Sequence, residues 1–92
     1  MQNKTIKILT HDYQVNIQDD YVIESDGETG KCNNYTNTIT IAGSLTESSQ
    51  KEILLHEILE ALNYRLELGL EHRTICVLGE TLNQVLSDNQ LY

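Results

Sequence analysis

The 92-residue chain has no proline, no phenylalanine and no tryptophan, only two cysteines, and six basic side chains against fourteen acidic ones. Each shortage excludes something. Without Phe or Trp the core must be built from Leu, Ile and Val with some Tyr. A domain of this length with 39% apolar residues is expected to be modestly stable, so a bound metal would contribute noticeably. A net charge of −8 repels phosphate backbones and anionic lipid, which argues against direct nucleic-acid or membrane-surface binding. No apolar run approaches a membrane span, and the start, "MQNKTIKILT", lacks the apolar region of a signal peptide; an intracellular protein is expected. Cys32 and Cys76 fit no C-x-x-C pattern and read as two free thiols in a reducing compartment. With no proline, repeat, low-complexity tract or linker, residues 1–92 read as one domain.

What is present divides the chain in two. The first half alternates apolar and polar residues: "IKIL", "YQVNI" (Tyr13 to Ile17) and "TITI" (Thr38 to Ile41) are expected strands, and "YVI" (Tyr21 to Ile23) a possible short one. "ESDGETG" is an acidic, glycine-containing loop. The second half is helical. Thr46 or Ser48 can cap a helix running to about Leu68, where Gly69 offers a left-handed stop. On that helix Leu54, Leu55, Ile58, Ala61 and Leu62 share one side, while Ser49, Glu52, His56, Glu60, Asn63 and Glu67 form the opposite, polar stripe. A second helix, with Ile75, Leu78, Leu82 and Val85 as its apolar stripe, pairs antiparallel with the first. The expected architecture is α+β: a small antiparallel sheet of three or four strands over about 5–42, then helices near 47–68 and 72–87.

His56-Glu57-Ile58-Leu59-Glu60 nearly spells the H-E-x-x-H of zinc hydrolases, with glutamate at the second histidine. Residues four apart project from consecutive helical turns, so His56 and Glu60 can share one metal ion, while Glu57 points about 100° away, within reach of a water beside it. With three His and nine Glu in the chain the pattern can also arise by chance, and a polar stripe is equally what a solvated helix face produces. Two residues are candidates for a third ligand. Glu80 sits at the right height on the partner helix but opposite its apolar stripe. His72 has the better chemistry, yet it lies about 18 Å along the axis from Glu60 unless the chain turns back near Gly69. His11 reads as a surface residue, and Tyr35 and Tyr64 as half-buried core tyrosines, either of which could alternatively donate to an oxyanion.

"KEILLHEILEALNYRLELGLEH" followed by "LNQVLSDN" resembles small bacteriophage and prophage proteins described as zincin-like or SprT-like metallopeptidases. The resemblance also takes in Gly30-Lys31-Cys32 and Thr38-Ile39-Thr40-Ile41, and so covers nearly the whole chain. It implies a minimal zincin core whose last strand, Thr38–Ile41, lies at the sheet edge beside the metal-binding helix and docks substrate. It further implies Zn²⁺ as cofactor, His56 as first ligand, Glu57 as general base, Glu60 in the second-ligand position and His72 in the third. A protein or peptide would be the substrate or partner, in the cytoplasm of a bacterial host. The alternative is a catalytically inactive zincin-like protein-binding module.

Overall fold

Alternation builds the strands at Lys4–Ile8, His11–Gln18 and Thr38–Ala42 as the sequence implies, and the change to a helical period near residue 45 builds the helices. Gly30–Asn33 adds a strand that alternation does not mark. The computed structural model describes residues 1–24 and 27–92; Ser25 and Asp26 of the acidic loop lie outside the described residues. The elements in chain order are β1 (Lys4–Ile8), β2 (His11–Gln18), α1 (Tyr21–Glu24), β3 (Gly30–Asn33), β4 (Thr38–Ala42), α2 (Glu47–Leu66) and α3 (His72–Asp88). This is an α+β fold, as the sequence implies. Among the described residues no helix is long and apolar enough to cross a membrane.

The sheet is mixed rather than antiparallel, with order β1-β2-β4-β3. β1 and β2 form a hairpin, with Leu9 at φ 56° in the turn, the left-handed conformation that such short turns use. β3 and β4 form a second antiparallel hairpin, and the Asn33 side chain accepts from the Tyr35 and Thr36 amides to hold its turn. The two hairpins join through a parallel pairing of β2 with β4, Gln14 beside Thr38 through Gln18 beside Ala42. Two expectations therefore fail. β4 is paired on both sides, so Thr38–Ile41 is not an edge and cannot dock a substrate strand; the edges are β1 and β3. Tyr21 to Ile23 belongs to the short helix α1, since three residues without alternation have no face to pair on.

Tyr13, Val15, Ile39 and Ile41 are fully buried on one sheet face, together with Ile8 and Ala61. Leu54, Ile58 and Leu62 of α2 pack onto them, which is the side of the helix the sequence marks as apolar. Thr46 caps α2 by accepting from the Ser49 amide. The helix ends earlier than expected: Glu67, not Gly69, takes the left-handed cap, and its N–H reaches back to the Asn63 and Tyr64 carbonyls.

α3 packs on α2, but not through the stripe expected of it. Ile75 and Gly79 are buried, whereas Leu78, Leu82 and Val85 remain 38%, 40% and 39% exposed. The buried line runs instead through Ile75, Cys76, Gly79, Asn83 and Leu86. Gly79 marks where the two helices meet: a Cβ there would lie 3.5 Å from the His56 backbone, an ordinary contact.

Candidate metal centre

The helix hairpin covers the polar stripe that would otherwise face water. After Glu67 the chain turns through Gly69 (φ 67°) and is clamped at Leu70 by the Asn63 side chain, which accepts from the Leu70 amide at 2.8 Å and donates to its carbonyl at 3.4 Å. α3 then starts at His72 and runs back along α2. The 18 Å separation of a straight helix is thereby closed: His72 Nδ1 lies 3.5 Å from Glu60 Oε1. His56 and Glu60, expected on a wet face, are only 17% and 32% exposed at their side chains.

Four side chains converge. His56 Nε2 sits 3.6 Å from Glu60 Oε1, and the two imidazole rings meet edge to face with centroids 5.3 Å apart. Cys76, one turn after His72 on α3, places its sulfur 3.4 Å from His72 Nε2. The donor atoms of His56, His72 and Cys76 all lie within 4.8 Å of one another, a group that can hold a metal ion. Donors around a tetrahedral zinc are spaced about 3.3–3.8 Å apart, given bond lengths of about 2.0–2.3 Å. The His56–Glu60, His72–Glu60 and His72–Cys76 pairs fall in that range, and imidazole and thiol donors suit a metal ion.

Glu57 lies on the inner side of the cluster. Its carboxylate is 3.9 Å from His56 Nε2, and it is only 6% exposed, tucked against Gly30 of β3. Burial, then the neighbouring Glu60 and Glu28, push its pKa up to about 7. Burial also lowers the pKa of His56, which favours the neutral imidazole that metals bind. A cleft of about 490 Å³ opens here between β3, α2 and α3, lined by Gly30, Ile53, His56, Glu57, His72 and Cys76 among others.

Of the residues expected from the sequence, His56, Glu57, Glu60 and His72 are therefore brought together. Glu80 is exposed at the cleft wall and lies outside the group of mutually close donors. Tyr35 and Tyr64 are 93% and 52% exposed, not half-buried core residues, and neither lines the cleft. His11 is half-buried, with Nε2 3.3 Å from Arg65 Nη1. Both cysteines are free, as expected. What sequence reasoning missed is Cys76 beside the histidines. Its signal was available: Cys76 follows His72 by four residues, the same i,i+4 relation that singled out His56 and Glu60. Comparison with protein-family models, curated proteins and solved structures finds no match to the chain.

Proposed function

We propose that this chain is a zinc-dependent hydrolase of the metallopeptidase type, acting on a protein or peptide in a bacterial cytoplasm. One observation carries the proposal: imidazole, carboxylate and thiol donors from two helices converge beside a buried carboxyl that titrates near neutrality, on the wall of an open cleft. His56 and His72 would hold the metal, with Glu60 between them. Zinc bound there supplies a Lewis acid that polarises a carbonyl and makes water more acidic. Glu57 would accept a proton from water in the cleft, its carboxylate lying on the cleft wall 3.9 Å from His56 Nε2. The free sheet edge beside the cleft is β3, whose Gly30 lines the wall, so an extended peptide would pair with β3 rather than with β4. The resemblance to phage zincin-like proteins supports the same reading, on the residues quoted for it.

A second reading, a protein-binding module without activity, is favoured by the number of donors. Both Glu60 and Cys76 stand beside the histidines, and a site filled by four protein donors is of the structural kind. Metal analysis of protein purified without a histidine tag, beside His56→Ala, tests the metal. A peptidase assay of the zinc-loaded protein with Glu57→Gln as control separates the two readings. Zinc in the wild type, together with hydrolysis lost in Glu57→Gln, supports the enzyme; zinc without hydrolysis supports the module; no zinc removes the enzyme and the structural-metal form of the module.

A further inference from the structure

Resting on the metal-site reading above, we infer that the metal is held by His56, His72 and Cys76, a thiolate-containing set that spans the two helices, with Glu60 outside it as the carboxylate that orients His72. The geometry of His72 carries the assignment. Its two ring nitrogens contact different partners: Nδ1 lies 3.5 Å from Glu60 Oε1, an ion-pair distance, and Nε2 lies 3.4 Å from Cys76 Sγ, within hydrogen-bond range. An imidazole ligates one ion through one nitrogen, so His72 binds a metal on the Cys76 side or on the Glu60 side. On the Cys76 side, Nε2 ligates and Nδ1–H donates to Glu60, the carboxylate–histidine–metal arrangement that fixes the tautomer and raises the basicity of the ring. On the Glu60 side, Nδ1 ligates and the opposite N–H is left facing a sulfur, a weak acceptor.

The mutual spacing points the same way. His56, His72 and Cys76 form the one group among the described residues whose donor atoms are all within 4.8 Å of one another; Glu60 approaches each histidine without joining that group. The packing explains why. His72 and Cys76 sit on consecutive turns of α3, and buried Gly79, three residues after Cys76, lies against the backbone of His56. The i,i+4 pair of ligands is thus on α3, and α2 contributes one ligand rather than two. A thiolate with two imidazoles selects zinc or cobalt over magnesium or calcium, which prefer all-oxygen sites.

Cobalt substitution of the metal-depleted protein tests the assignment without any activity assay. Co²⁺-loaded wild type is expected to show a thiolate-to-cobalt charge-transfer band in the near ultraviolet. Cys76→Ser should abolish it, while Cys32→Ser and Glu60→Gln keep it. Zinc titration should show Cys76→Ser losing at least about 100-fold in affinity, and Glu60→Gln losing no more than the roughly 10–100-fold of an outer-shell partner. Because a substitution can disturb folding, the wild type is also alkylated with iodoacetamide: zinc should protect Cys76, as located by peptide mass mapping. Metal binding without the band, or a band that survives Cys76→Ser, or zinc that leaves Cys76 as reactive as before, overturns the thiolate set and leaves the zinc reading standing with Glu60 as ligand. Failure of the wild type to bind either metal overturns both.

Discussion

Glu57 is a carboxyl whose pKa its surroundings raise, and this has a measurable sign. In the unfolded chain it titrates near 4.5 and in the metal-free fold at about 7, so the folded state binds the proton more tightly. Its contribution is fully present below about pH 4.5 and is lost as pH rises through about 7, amounting to at most about 3 kcal/mol. Urea midpoints of chelated protein measured from pH 4 to pH 8 should therefore fall with rising pH, and Glu57→Gln should flatten the fall. Cys32 makes a second prediction. Burial, then Glu57 and Glu60, push its thiol up to about 11, so iodoacetamide near pH 8 should leave Cys32 largely unmodified. Rapid labelling of Cys32 in the folded protein, read by mass spectrometry, would contradict this. At this scale the sequence was legible where chemistry depends on spacing along one helix. The pairing of His56 with Glu60 and the position of Glu57 follow from a 100° step. Cys76 escaped because its meaning depends on which turn of a second helix meets His56, and spacing along one helix does not tell that.

Two glycines lie where elements meet, and their replacement should act in opposite directions. A Cβ on Gly30 would run into the Ile53 methyl and come within 3.2 Å of Glu57 Oε2, so Gly30→Ala must push α2 off β3. A loss of roughly 1–3 kcal/mol is expected, the usual cost of overpacking. A Cβ on Gly79 would meet His56 atoms at 3.5–3.6 Å, an ordinary contact, so Gly79→Ala should be neutral or gain up to about 1 kcal/mol from helix propensity. Thermal melts of both variants check the contrast. The helices were legible because period and caps are local signals: 47–68 and 72–87 were expected, and Glu47–Leu66 and His72–Asp88 are found. Strand neighbours were not. Alternation says which residues face the core, but β4 alternates in the same way at an edge or between β2 and β3. A helical wheel likewise locates the stripe of His56 and Glu60 without telling whether water or another helix covers it.

For the molecule as a whole, α3 is the loosely held part. It packs on α2, and three of the four residues of its apolar stripe, Leu78, Leu82 and Val85, stay exposed. A metal joining His56 to His72 and Cys76 would staple α3 to the sheet-bound helix. Free zinc at a hundred times Kd should then stabilise by about 2.7 kcal/mol, a rise in Tm of roughly 10–20 °C for a domain of this size. Hydrogen exchange should slow most in residues 72–88, and chelation should expose the 67–71 link to protease first. Uniform protection across the sheet and both helices would mean that the metal does not act as an interhelical staple.

The parallel seam between β2 and β4 also orders events in time. Each hairpin closes over a short turn and can form within microseconds, but residues 14–18 meet residues 38–42 only after the whole intervening chain is drawn in. Lateral docking of two preformed hairpins is then the slow step of folding, and Val15→Ala or Ile39→Ala, at the seam, should slow refolding. If the donors on α2 and α3 gather only after that seam has closed, zinc should lower the unfolding rate and leave the refolding rate nearly where it was; faster refolding with zinc would mean that the helix hairpin forms first.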